Sequence, residues 1–218
     1  MSAALRSATP VTLVGGGPFA PRDLEDALAL APTLAAADAG ADQALALGRM
    51  PQAVFGDFDS ISRTARTAIP AERLHRIAEQ DSTDIEKALT RIDAPLVLGV
   101  GFSGGRQDHV LAALNALARR IGPPCILLSD QDVITLAPAQ LSLDLPPDTR
   151  LSLMPMGPAT GRSTGLEWPI DGLDFAPDGR IGTSNRSTGP VELSIEGPML
   201  LILPRPQLAL LAQSLLRA

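Results

Sequence analysis

Hydrophobic and polar positions follow one pattern up to about residue 130 and another beyond it. In the first stretch, short apolar runs alternate with segments of helical spacing. VTLVGG (11–16), TLAAADA (33–39), AVFGDF (53–58), LHRIA (74–78), PLVLGVGF (95–102) and CILLSD (125–130) read as strands. RDLEDALALA (22–31), DQALALG (42–48), STDIEKALTRI (82–92) and DHVLAALNALARRI (108–121) read as helices. Thr83 and Glu86 fit a capping box, with Ile85, Ala88, Leu89 and Ile92 on one face of that helix. Val110, Leu114, Leu117 and Ile121 make a single stripe on the next. Strands alternating with helices predict an α/β fold, a mostly parallel sheet with flanking helices.

Beyond residue 131, ITLAP, QLSLDLP, RLSLMPM and VELSIEG alternate apolar and polar residues between Pro and Gly turns. That is the pattern of a C-terminal antiparallel β-sandwich. The closing QLALLAQSLLRA has helical spacing. Two units are therefore expected, an α/β unit over 1–135 and a β unit over 136–218, with the boundary near 130–140.

Composition narrows the function. A formal charge of −6 argues against holding nucleic acid by the overall field. Cys125 is the one cysteine, set in the apolar PPCILLSD, so no intrachain disulfide forms and a buried thiol is expected. The N-terminal MSAALRSATP is too short and weakly apolar for a secretory signal, and no apolar run reaches the length of a membrane span. A cytoplasmic protein, bound neither to membrane nor to nucleic acid, is the expectation.

The acidic residues carry more. Asp38 ends the second strand, Asp57 and Asp59 end the third, Asp81 and Asp84 open the helix after the fourth, and Asp108 opens the helix after the fifth. In a strand, residues two apart point to one face, so Asp57 and Asp59 repel. Singly, such residues cap helices. Six of them at one edge of a parallel sheet require compensation, and oxygen-rich, histidine-poor ligation points to Mg²⁺ or a similar hard cation. Ser60 is read as the cap of the following helix.

GFSGGRQDH (101–109) adds an anion site. Gly104 and Gly105 let backbone N–H groups approach phosphate, and Arg106 can fork onto its oxygens beside Asp108. Carboxylates and a basic clamp together suit phosphoryl transfer. GGGPFA (15–20) matches a dinucleotide fingerprint with Asp38 at the ribose distance, but Pro18 and Pro21 interrupt the turn that the fingerprint requires. It reads better as a glycine loop near a nucleotide's phosphate or sugar. His75 is expected to be structural, and His109 makes either a local hydrogen bond or a catalytic one. Lys87 either reaches phosphate or is a solvated lysine paired with an acid. Trp168, by default a core residue, can alternatively stack on a flat cationic ring, with Ser184 and Asn185 as turn residues or readers of that ring.

The ordered set ADAGAD (37–42), GDFDSI (56–61), DSTDIEKAL (81–89), GGRQDH (104–109), GLEW (165–168) and TSN (183–185) resembles thiamine pyrophosphokinase in its bacterial form. The resemblance implies an N-terminal domain binding ATP and Mg²⁺, and a C-terminal sandwich that helps to bind thiamine. It further implies a homodimer with active sites between subunits. The implied reaction moves the pyrophosphoryl group of ATP to the hydroxyethyl oxygen of thiamine and releases AMP. By motif position, Asp57, Asp59 and Asp81 or Asp84 hold Mg²⁺, and one carboxylate takes the hydroxyl proton. Asp38, Gly40, Lys87, Gly104, Gly105, Arg106 and Asp108 fall to the nucleotide site, and Trp168, Ser184 and Asn185 to thiamine. Asp38-Ala39-Gly40 departs from the family's more frequent Asp-Gly-Gly. The residues alone reach only metal-dependent phosphoryl transfer. A diphosphokinase for another heterocyclic alcohol, such as a hydroxymethylpterin, and a non-catalytic nucleotide- or thiamine-binding protein remain the alternatives.

Overall fold

Continuous apolar runs became buried strands wherever they were short and bounded by glycine, proline or aspartate. A computed structural model describes residues 3–218, which divide into two compact units on either side of a boundary between 130 and 131. In the first unit the order is β1 (Leu5–Arg6), β2 (Val11–Val14), α1 (Pro21–Leu30), β3 (Thr33–Ala37), α2 (Gly40–Ala46), β4 (Ala53–Gly56) and α3 (Arg63–Ala68). Then follow β5 (Leu74–Arg76), α4 (Asp84–Leu89), β6 (Ile92–Asp93), β7 (Val97–Val100), α5 (Gln107–Ala118) and β8 (Cys125–Leu128).

Every strand pairing within this unit is parallel: β2–β7–β8, β3–β4–β5, and the short β1–β6. Every residue of β2, β4, β7 and β8 is buried, each large apolar side chain contributing roughly 1.5–3 kcal/mol. Parallel pairing puts the loops after β3, β4 and β5 at one edge, and those after β2 and β7 at one edge. The two groups of loops are tied together. Gly17 N–H donates to the Gly101 carbonyl at 2.9 Å, and the Gln43 amide donates to the Gly15 and Gly17 carbonyls at 3.2 and 3.0 Å. Gly40 is obligatory in this joint, because a Cβ there would lie 2.1 Å from the Val14 carbonyl oxygen.

Several local expectations are corrected. Ile92 leaves the helical face and pairs in β6, since α4 stops at Leu89. On α5 the deeply buried residues are Ala113, Ala116 and Leu117, whereas Val110, Leu114 and Ile121 are only half-buried. Small residues let that helix lie close to its neighbours. Helix α3, absent from the pattern reading, is capped by Ser62, whose Oγ accepts from Ala65 N–H at 3.0 Å. Ser60 is no cap; its hydroxyl donates to Asp59 Oδ1 at 2.7 Å. Pro21 starts α1, at its first position, where a missing N–H costs nothing. Cys125 is buried, and burial pushes its thiol up to about 12.

The second unit contains β9 (Asp132–Leu136), β10 (Gln140–Leu143), β11 (Arg150–Pro155), β12 (Thr160–Leu166), β13 (Gly182–Glu196), β14 (Met199–Pro204) and α6 (Leu208–Leu215). All its strand pairings are antiparallel. β13 is 15 residues long. Its first part pairs with β11, and the remainder with β10 and β12. Ser184 and Asn185, read as turn residues or as readers of a ring, thus lie in a strand. β14, MLLILP, escaped the alternation test because it is apolar at nearly every position.

Candidate metal and nucleotide site

Asp38 follows β3 in a left-handed turn, φ +41°, and is 1% exposed. Its carboxylate lies against Gly56, where a Cβ would sit 3.0 Å from Asp38 Cβ and 3.1 Å from Cγ. Neither Oδ1 nor Oδ2 has a hydrogen-bond partner among the described residues. Burial, then the charge of Asp84, the close approach of the Asp57 carboxyl and the charges of Asp57 and Asp59, raise its pKa to about 6. A buried, unpartnered carboxylate is costly, so something else must satisfy it.

Asp57 and Asp59 converge with Asp38, but not by strand geometry. β4 ends at Gly56, and Phe58 turns the chain with φ +69°. Asp59 N–H then donates to Asp57 Oδ1 at 3.1 Å. Asp57 Oδ2 accepts from Lys87 Nζ at 2.9 Å and from Gln80 Nε2 at 3.0 Å. The Lys87 hydrogen bond leads in holding the Asp57 carboxyl well below the usual range, against its burial. Lys87 is neither solvated nor free to swing out; its side chain is 3% exposed. Burial opposes its charge, yet Asp57, Asp84 and Glu79 raise its pKa on balance.

Asp38, Asp57 and Asp59 each offer one oxygen, and these atoms lie within 4.8 Å of one another. Three carboxylates against one lysine leave net negative charge, and hard oxygen donors with an orphaned buried member fit a hard divalent cation. The oxygen grouped with those of Asp57 and Asp59 is that of Asp38, expected at the nucleotide, whereas the motifs set Asp81 or Asp84 beside that pair. Asp84, half-buried at the start of α4, stands beside the group: burial raises its pKa, Lys87 and His109 lower it, Asp57 and Asp59 raise it. Asp81 lies on the exposed loop, its N–H donating to Glu79 Oε2 at 2.8 Å. The Glu86 carboxylate accepts from the Thr83 N–H and hydroxyl at 2.9 and 3.0 Å and pairs with Arg119, which orients α4.

On the glycine turn, Gly104 and Gly105 adopt φ +156° and +72°. Arg106 forks onto Asp108 through Nε at 3.1 Å and Nη2 at 2.5 Å, both side chains mostly exposed. Such a pair is weakly held and can yield to an anion. Ser103 Oγ in the same turn is buried without a partner among the described residues. Nothing in its sequence context set it apart. His75 stacks on Phe55, ring centroids 5.3 Å apart, and burial lowers its pKa.

In the second unit Trp168 is not a core residue; it is 53% exposed. Its main chain is clamped by Asn185, which accepts from Trp168 N–H at 3.2 Å and donates to Trp168 O at 2.7 Å. Asn185 is therefore committed to placing Trp168. The Arg186 guanidinium lies 5.7 Å from the indole centroid and pairs with Glu167 at 2.9 Å. Ser184 is exposed with φ +62°, and its N–H donates to Ser152 Oγ at 3.0 Å. A cleft of about 170 Å³ beside Trp168 is lined by Ile170, Leu173, Phe175, Ile181 and Thr183 among others.

Parallel strands that deliver one buried and two more accessible carboxylates to one edge define a class, α/β proteins carrying an acidic group able to hold a metal ion. Residues 24–125, just under half the chain, match the family model described as thiamin pyrophosphokinase, catalytic domain. Thiamine pyrophosphokinase 1 of Oryza sativa subsp. japonica is 31% identical over 154 residues, covering 62% of this chain and 58% of that protein. Thiamine pyrophosphokinase of Bacillus subtilis (strain 168) is 34% identical over 91 residues, covering 38% and 42%. The matched stretch thus spans less than two thirds of either relative. The solved structure of thiamin pyrophosphokinase from Candida albicans superposes with a TM-score of 0.76, covering 92% of both chains; at 16% identity it speaks for the fold alone. The resemblance drawn from the motifs is thereby shown, with residues 24–125 similar to the thiamin pyrophosphokinase catalytic domain. No helix among the described residues is long and apolar enough to cross a membrane.

Proposed function

We propose that the chain is a thiamine pyrophosphokinase, converting ATP and thiamine to AMP and thiamine diphosphate. The hydroxyethyl oxygen of thiamine bonds to the β-phosphorus of ATP. The bond from that phosphorus to the α,β-bridging oxygen breaks, and AMP leaves with this oxygen. The hydroxyl proton passes to a carboxylate of the acidic edge. The observation that carries the reading is Asp38, buried and without a donor, facing Asp57 and Asp59 inside the segment matched to that catalytic domain.

Asp57 and Asp59, with Asp38 and the neighbouring Asp84, hold Mg²⁺, which when bound neutralises charge on the phosphate oxygens. Lys87 keeps Asp57 ionised and fixed. Arg106 exchanges Asp108 for phosphate, while the N–H groups around Gly104 and Gly105 receive its oxygens. Asp81 and Gly40 border this nucleotide site. Trp168 offers its exposed ring to the flat cation of thiamine, placed by Asn185, with Ser184 at the strand edge. The two sheets sharing β13 form the sandwich, and the assembly is a homodimer in which this unit serves a partner's catalytic unit.

Phosphorus NMR of a reaction containing ATP, Mg²⁺ and thiamine tests the proposal. Thiamine diphosphate and AMP are expected together. Thiamine monophosphate with ADP, or no turnover, overturns it.

A further inference from the structure

Phe58 stands between Asp57 and Asp59 with φ +69°, a conformation rarely adopted by bulky residues. The residue is 8% exposed, and it sits in a cluster with Ala36, Ala41, Val54, Ile61 and Ala65. The Arg66 guanidinium lies 5.7 Å from its centroid. A ring packed in this way cannot withdraw without opening a void among its neighbours. The backbone is therefore held in the left-handed turn, and the turn sends Asp59 back so that its N–H meets Asp57 Oδ1 at 3.1 Å. The loop is pinned at its ends as well. Lys87 holds Asp57 at 2.9 Å, and Asp42 on α2 accepts from Ser62 N–H at 2.9 Å and from its hydroxyl. Neither end pin reaches the peptide that separates the two carboxylates.

We propose that Phe58 is a positioning residue for the metal site, its buried ring holding the left-handed turn that brings Asp57 and Asp59 together around a divalent cation. The inference rests on the metal-dependent reading given above. It separates two causes of the turn. If backbone freedom sets it, glycine is the best substitute, because glycine adopts positive φ without strain. If the apolar plug sets it, leucine is the best substitute, despite the strained φ that it inherits.

Mn²⁺ alone, followed by electron paramagnetic resonance of the free ion, is titrated into the parent protein and the Phe58→Leu, Phe58→Gly and Phe58→Ala variants. Far-ultraviolet circular dichroism and thermal melting report the fold of each. The expected result is a Kd for Mn²⁺ raised roughly tenfold or more in the glycine and alanine variants, and less than about threefold in the leucine variant, with unchanged spectra. The glycine variant, relieved of strain, keeps the comparison open if the alanine variant does not fold. Folded glycine and alanine variants that bind Mn²⁺ as the parent does overturn the proposal, as does a leucine variant as weak as alanine. A parent that takes up no Mn²⁺ brings down the metal reading itself. That outcome is distinct from uptake persisting in every variant, which removes only the role of Phe58.

Discussion

The acidic edge of the first unit and the Trp168 patch of the second are built on opposite principles. At the acidic edge two of the charges are themselves buried: Asp38 is 1% exposed and Lys87 3%. Each is held by packing or by an ion pair, and on the proposed reading a cation relieves the repulsion among the carboxylates. Around Trp168 the main chain is locked by the Asn185 amide while the ring stays in solvent. The first arrangement joins stability to chemistry, since desolvated charges cannot be removed singly without leaving a partner unpaired. The second keeps them apart. A half-exposed ring on a fixed main chain can be cut away with little effect on the fold.

Three substitutions test that contrast. The largest effect is expected at the exposed member of the acidic trio. Asp59→Asn should lower AMP release by roughly 10²–10³-fold, a loss typical of removing transition-state charge stabilisation. Stability should move by no more than about 0.5 kcal/mol, as for ordinary surface changes. A variant that keeps its rate would break the assignment.

Next comes Lys87→Met, which strips Asp57 of its buried partner. Urea denaturation should show a loss of about 3 kcal/mol, the lower end for a broken buried pair, because Asp57 keeps some water contact. The pH dependence has a definite sign. Asp57 titrates below its ordinary value in the folded protein, so its contribution is present above about pH 4 and fades as pH falls through the depressed value. Lys87 titrates above its ordinary value, so its contribution persists until pH rises beyond about 10. The stability gap between parent and variant should therefore narrow on acidification from pH 7 to pH 3. A constant gap would show that the pair is not its source.

The smallest effect belongs to the other region. Trp168→Ala should raise KM for thiamine by about tenfold, near the upper range for a cation on an aromatic face. The unfolding free energy should fall by less than about 1 kcal/mol. A large drop in stability would mean that the ring is structural after all, and the contrast between the regions would fail.

Much of the first unit was legible because its strands are short apolar runs ended by glycine or aspartate. Val11–Val14, Ala53–Gly56 and Cys125–Leu128 fall inside the segments that the pattern marked. Legibility failed where a residue's role depends on contacts distant in sequence. Asp38 joins Asp57 and Asp59 only because Gly56 leaves room for its carboxylate, a relation across eighteen positions that no local window contains. The meeting of Asp57 and Asp59 was foreseen, but the pleat was the wrong cause. The left-handed Phe58 is invisible to propensity, which places a buried aromatic in a strand. Ser60 and Ser62 are equally good caps in sequence, and the actual start of α3 at Arg63 decided between them. Trp168 was assigned to the core by default, since its hydrophobicity says nothing of the Asn185 clamp that presents it.

The long strand β13 has a consequence of another kind. Residues 191–194 pair with 140–143, and residues 185 and 186 of the same strand pair with 151 and 150. The first of these pairings must close a loop of about fifty residues before any bond repays the lost chain entropy. One strand then belongs to both sheets, so neither sheet is complete while the other is open. The second unit should accordingly be a slow folder and a sharp one, crossing its barrier in a single cooperative step that neither sheet can take alone.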